Sequence, residues 1–279
     1  MTERPSQREY WSGKVGDEWA AQAQRIDAML APMTDAALER AAFAPGETVL
    51  DIGCGAGATS LEIARRVAPG GSVVGVDISP QMLQLARTRA GAASTAIEFL
   101  DADVGEANFT RRFDAAFSRF GVMFFEAPAA AFAHIRAQLH PGGRLTFVCW
   151  RALVHNTWAT TPVDALGPML KAPMPAPDPE APGPFAFADS ERVRGILAAA
   201  GWRAVELAPW DGLITIGGGG DLTQSADFLL RIGPCARAIA DQGLDLAEAR
   251  QRLMGHLAPL HRENGVALGA ACWIVSATA

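Results

Sequence analysis

One segment, Val49-Leu50-Asp51-Ile52-Gly53-Cys54-Gly55-Ala56-Gly57-Ala58, constrains the fold of this 279-residue chain more than any other. An apolar run of strand length leads straight into three glycines at alternate positions, and a helical pattern follows. Glycine tolerates positive φ and lets a ligand lie against bare backbone, while the helix start behind it offers unpaired N–H groups. Gly53, Gly55 and Ala58 also fit the G-x-G-x-x-A form of a nicotinamide dinucleotide site, so the loop by itself leaves the ligand open.

Around this loop, short β-type runs alternate with helix-type segments, the pattern of consecutive βαβ units and a parallel sheet. Strands are expected over 48–52, 72–76, 96–100, 113–118 and 144–150, most of them apolar on both faces as a covered sheet requires. Ser79 and Pro80 start the helix after the second strand, and Pro141-Gly142-Gly143 stops the helix over 129–139. Asp77 closes the second strand about twenty residues after the glycines, where a carboxylate can accept both hydroxyls of an adenosine ribose.

The flanking chain reads differently. Residues 1–41 carry a partial helical stripe, Trp19, Ile26, Met29 and Leu30, which Pro32 is expected to interrupt. Residues 151–188 hold seven prolines between Pro168 and Pro184 and read as a crossing loop or lid. Residues 189–209 return to the core, with Asp189 or Ser190 capping a helix and a strand over 204–208. After the break at Gly217–Gly220, a mostly helical tract over 221–262 forms an insertion, assigned to 210–265, before a final strand within 266–279. The expected fold is thus α/β: a Rossmann-like, seven-stranded, mostly parallel sheet over 42–150 and its continuations, capped by helices from 1–41 and the insertion.

Composition excludes several roles. With 24 Lys and Arg against 30 Asp and Glu, the net charge is −6, a field that repels phosphate backbones, so no nucleic-acid partner is expected. No apolar run is long enough to span a membrane and the first residues, MTERPSQREYW, do not read as a signal peptide, which suggests the cytoplasm. Cys54, Cys149, Cys235 and Cys272 are scattered, and the five histidines lack ligand spacing, so buried thiols and no metal are expected.

Taken together, these segments resemble the class I S-adenosylmethionine-dependent methyltransferases, in particular the small-molecule branch with the quinone-biosynthesis enzymes. The resemblance is strong over about 46–150. It implies a Rossmann-like fold, S-adenosyl-L-methionine as cofactor, and a glycine loop formed by Asp51, Gly53, Cys54, Gly55 and Gly57. Asp77 maps to the family's strand-two acid, and Ile78 and Met82 to residues flanking the adenine. In Phe99-Leu100-Asp101-Ala102-Asp103-Val104 the adenine-binding acid is Asp103, with Val104 next to it, or alternatively Asp101. Ser118, Arg119 and Phe120, at the end of the fourth strand, fall beside the methionine part of the donor.

Methyl transfer needs the acceptor held at near-attack distance with water excluded. The helical segments are therefore expected to cap the strand ends, and Trp11, Trp19 and Trp158 to suit an apolar or aromatic small-molecule acceptor. His155, after the fifth strand, is the candidate base should the acceptor need one. Two rivals stand beside this reading: a donor-binding subunit without chemistry, and a nicotinamide-dependent oxidoreductase. The latter lacks a Tyr-x-x-x-Lys pair, because the chain has one tyrosine, Tyr10, and only Lys14 and Lys171 as lysines.

Overall fold

The computed structural model describes residues 6–93, 96–174, 178 and 180–279. Its sheet grows outward from β1 (Thr48–Ile52), which is buried from Val49 onward and pairs in parallel with β2 (Ser72–Asp77) on one side and β4 (Phe113–Arg119) on the other. β3 (Ile97–Asp101) continues beyond β2 and β5 (Leu139–Trp150) beyond β4, again in parallel. Two long antiparallel strands finish the far side, β8 (Gly265–Thr278) beside β5 and β6 (Arg203–Thr215) outermost. The order is β3-β2-β1-β4-β5-β8-β6, with the two-residue β7 (His261–Arg262) folded onto the start of β8.

This is the mostly parallel, Rossmann-like sheet that the alternating pattern implies. Its strand order reverses between β1 and β4, and an open α/β sheet leaves a crevice outside the carboxyl ends at that point. The glycine loop leaves β1 there and enters α4 (Ala58–Val67), which packs on β1 and β2, while α5 (Pro80–Ala93) packs on β2 and β3. α6 (Pro128–Ala137) meets α8 (Ser190–Ala199), whose cap is Asp189, accepting the Glu191 N–H. Phe132 of α6 touches Phe125, Phe147 and Phe187 at ring separations of 5.6, 5.5 and 6.1 Å, the aromatic centre of the core.

Three features depart from the sequence expectation. Pro32 does not interrupt the N-terminal helices: α1 (Gln7–Ser12) and α2 (Lys14–Ala21) lead into α3 (Ala23–Ala41), which runs through the proline. An interior proline costs about 3 kcal/mol. Burying Ile26, Met29, Leu30, Met33 and Leu38 on one face contributes roughly 1.5–3 kcal/mol each and outweighs it.

Part of the stretch expected as a loop is also helical. α7 (Thr157–Leu166) buries Trp158, Ala159, Ala165 and Leu166 against helices much later in the chain, and the seven prolines counted there all lie beyond its end. Of those prolines, residues 175, 177 and 179 fall outside the described set.

Finally, β6 and β8 are longer than expected, paired from Arg203↔Thr278 to Thr215↔Ala267 with one register shift between Arg203 and Glu206. Residues 210–215 therefore belong to the sheet rather than to the insertion. Each long strand satisfies the other's backbone, which a local reading of either segment does not reveal. Of the helices of the insertion, α9 (Leu222–Arg231), α10 (Pro234–Gln242) and α11 (Leu246–Leu257), the last two both pack on α9 and on α7. Among the described residues no helix is long and apolar enough to cross a membrane.

Candidate active site

Asp51, the residue before the end of β1, has its side chain fully buried. Its Oδ2 accepts hydrogen bonds from Thr59 Oγ1 at 2.7 Å and Ser60 Oγ at 2.6 Å, both in the first turn of α4, so the carboxylate fixes the helix that follows the loop. Its Oδ1 is buried without a partner. Burial pushes the Asp51 carboxyl up to about 6, against the downward pull of the Ser60 and Thr59 hydroxyls and of the Arg119 charge. Thr59 and Ser60 escaped the sequence reading, although their place just past the glycines marks them as able to reach back.

The loop turns through Gly53, Gly55 and Gly57 at φ of 62°, 53° and 78°. A side chain at Gly53 would strike Gly121 Cα at 2.9 Å, and one at Gly57 would strike Ala86. Three loop amides are already used: Cys54 N–H donates to the Val76 carbonyl, Gly55 N–H to Asp77 Oδ2 and Gly57 N–H to the Cys54 carbonyl. A pyrophosphate would need such donors free. What the loop offers instead is close approach to backbone and to carboxylates.

Asp77, at the end of β2, holds two loops together, with Oδ2 on Gly55 N at 2.8 Å and Oδ1 on Ser79 N at 2.8 Å. Burial raises its carboxyl above the ordinary value while the Ser79, Gly55 and Ile78 amides draw it down. Each carboxylate oxygen carries a second lone pair, so both can still accept a hydroxyl. Met82 brings its Cε to 3.1 Å from where a Cβ on Gly55 would stand, and Ile78 accepts from Ser12 Oγ of α1 at 3.4 Å through its carbonyl.

β3 ends at Asp101, directly across from Asp77 in register. Asp101 is ion-paired to Arg8 of α1 at 2.6 Å, whereas Asp103, two residues on, accepts the Gly105 N–H at 2.8 Å in a turn that buries Val104. Both acids thus stand at the same strand end. Arg8 was not foreseen, since nothing local links residues 93 positions apart.

At the end of β4, buried Ser118 donates to the Ile52 carbonyl at 2.8 Å and accepts the Gly121 N–H at 3.2 Å. Phe120 takes the left-handed conformation, φ 61°, rare for a bulky residue. That turn lays Gly121 against Gly53 and throws the Phe120 ring onto Trp150, stacked at 4.1 Å and 15°. Trp150 in turn meets Trp158 at 4.9 Å. On another side of the same segment Phe124 meets Trp11 at 5.1 Å, and Trp11 meets Trp19 at 5.3 Å.

The three tryptophans named from sequence therefore fall into two aromatic clusters, both hung from residues 120–124. His155 lies exposed on the turn after β5, whereas its neighbour Asn156 is buried, taking hydrogen bonds from the Trp158 indole and the Ala271 amide.

Comparison with known proteins agrees with this geometry. A family profile described as a methyltransferase domain matches residues 49–143. A demethylmenaquinone methyltransferase of Thermus thermophilus is 31% identical over 176 residues, 60% of this chain and 78% of that protein. An uncharacterized protein of Mycobacterium tuberculosis is 31% identical over 144 residues, 51% of this chain, which spans about half the length of that relative, 49%. In fold the chain is similar to the phosphoethanolamine N-methyltransferase 2 of Haemonchus contortus, solved with S-adenosyl-L-methionine, at a TM-score of 0.59 and 17% identity, covering 99% of this chain and 60% of that one.

The chain belongs to the class I S-adenosylmethionine-dependent methyltransferases, on the branch with the quinone-biosynthesis enzymes. S-adenosyl-L-methionine is the cofactor of this family, and the residues fit it: a buried carboxylate oxygen without a partner, a glycine loop with no room for a Cβ at Gly53 or Gly57, and further acids on the next two strand ends.

Proposed function

We propose that this chain transfers the methyl group of S-adenosyl-L-methionine to a small, apolar or aromatic acceptor in a pocket closed by its helical segments. The observation that carries this reading is the glycine loop whose amides at Cys54, Gly55 and Gly57 are used internally while the Asp51 Oδ1 beneath it stands unpaired. Such a loop suits a cationic adenosyl ligand rather than a dinucleotide phosphate. When bound, S-adenosyl-L-methionine supplies a methyl group on a sulfonium, which an acceptor displaces in line as the positive charge is dispersed.

The protein's own part is positioning and exclusion of water. Asp77 would hold the ribose hydroxyls, Asp103 or Asp101 the adenine amino group with Ile78, Met82 and Val104 at its faces, and Ser118 to Phe120 would border the methionine part. The closure has structural support: Arg8 of α1 reaches Asp101, Gln81 donates to the Ser12 carbonyl at 2.6 Å, and Glu18 of α2 meets Arg231 of α9 at 3.5 Å. The two clusters, Trp11-Trp19-Phe124 and Phe120-Trp150-Trp158, would give the acceptor apolar walls.

Should the accepting atom carry a proton, His155 is the candidate to take it, and unchanged turnover in His155→Gln would remove it from that role. Titration calorimetry decides the donor: S-adenosylhomocysteine is expected to bind and NAD not to bind. A screen of phenols, quinones, amines and thiols for donor consumption then identifies the acceptor class. Binding without turnover across that screen would favour a non-catalytic subunit.

A further inference from the structure

One buried polar side chain has no part in the donor assignments. Asn156, fully buried on the turn after β5, uses all of its hydrogen-bonding capacity. Its Oδ1 accepts the Trp158 indole N–H at 3.1 Å and the Ala271 N–H of β8 at 2.9 Å. Its Nδ2 donates to the Arg151 and Ala152 carbonyls, both at 3.2 Å. The amide can point only one way, because reversing it would set donor against donor and carbonyl against oxygen. Through Ala271, whose carbonyl also accepts the Arg151 N–H at 3.0 Å, the Trp158 indole is tied to the sheet.

From Trp158 the constraint passes forward through packed rings. Trp158 and Trp150 are both buried, with centroids 4.9 Å apart, and Trp150 stacks on Phe120, the least buried of the three. Phe120 holds a left-handed backbone, which a bulky residue keeps only where its surroundings over-determine it. The stack on Trp150 restrains it from the side-chain end, and the approach of Gly121 to Gly53 restrains it from the backbone. Packing a row of rings does not require an asparagine behind it. What a fully bonded buried amide adds is rigidity and a single orientation.

We infer that Asn156 is a positioning residue for the acceptor: by locking Trp158 behind Trp150 it fixes Phe120 as a rigid wall, which favours flat aromatic acceptors over saturated ones of the same skeleton. Resting on the acceptor reading above, this assigns the residue that shapes the acceptor's wall without touching the acceptor.

Titration calorimetry on the full-length protein loaded with S-adenosylhomocysteine tests it with two probes, 1-naphthol and its saturated counterpart decahydro-1-naphthol. The wild type is expected to prefer 1-naphthol by roughly 10-fold, the scale of an aromatic contact beyond its buried area. In Asn156→Ala that ratio should fall to about 2-fold, while S-adenosylhomocysteine affinity changes less than about 2-fold. Trp158→Phe keeps a ring and removes the N–H, so it should lower the ratio too; the double variant should lower it no further than Asn156→Ala alone, since both act through one contact. An unchanged ratio in Asn156→Ala, or effects that multiply in the double variant, overturns the inference while the acceptor reading stands. Equal weakening of both probes and of S-adenosylhomocysteine would make Asn156 a support of the fold alone and overturns it as well. Should Asn156→Ala not fold, Trp158→Phe decides by itself, and a wild-type ratio there overturns the inference. If the wild type takes up S-adenosylhomocysteine but shows no preference for 1-naphthol, the aromatic-acceptor reading falls and this inference with it.

Discussion

Asp77 and Asp51 do different things with the same functional group, because their surroundings differ. Asp77 ties Gly55 and Ser79 while keeping lone pairs for a ligand, so Asp77→Ala should weaken S-adenosylhomocysteine by about 2 kcal/mol, roughly 30-fold. Calorimetry showing parental affinity in that variant would sink the assignment. Asp51 is held back from ionising by its burial, with a carboxyl at about 6 in the fold against an ordinary 3.8. Between those values the folded chain keeps a proton that the unfolded chain has released. Its stability therefore falls as pH rises from about 4 to about 6, by up to roughly 3 kcal/mol, and the contribution is level above that window. Urea midpoints across pH 4 to 7 should show this slope reduced in Asp51→Asn relative to the parent.

Among the elements, the N-terminal pair α1–α2 and the turn after β4 are the ones on which the proposed closure of the crevice depends. α2 lies so tightly on its neighbours that a Cβ at Gly16 would come within 1.9 Å of the Trp11 carbonyl oxygen and 3.0 Å of Ser79 Oγ. Gly16→Ala must push α2 away from α1, and with it from Ser79 just after Asp77, at a cost of about 1–3 kcal/mol. Hydrogen exchange over residues 7–21 should quicken at least tenfold while that of β1 and β4 stays the same; equal protection in both proteins would mean that these helices do not close on the loop. Gly121 is as demanding: a Cβ there would meet Gly53 Cα, the Ile52 carbonyl and Ser118 Oγ, each at 3.0 Å. Gly121→Ala is expected to lower both thermal stability and donor affinity, since the two loops it separates form the same crevice.

At the scale of the whole molecule, all four cysteines are buried, and burial lifts every thiol: Cys235 and Cys272 to about 12, Cys54 and Cys149 well above their usual range. A thiol reagent at pH 8 should react with none of them in the native protein within minutes and with all four in denaturant. A fast native thiol would show that the sheet opens more readily than its packing implies. The sequence by itself determined the βαβ order, the glycine loop and the acids at Asp51, Asp77 and Asp101 or Asp103, because each depends on neighbours a few residues away: period, φ and the end of a strand. Only the tertiary structure decided that α3 runs through Pro32, that α7 forms beside the proline-dense stretch, and that β6 extends to Thr215, since burial and pairing with distant segments overrule local preference there. The same holds for Asp27, Arg89 and Arg119, which lie 62 and 92 residues apart along the chain and become one charge cluster only when α3 packs over the strand ends.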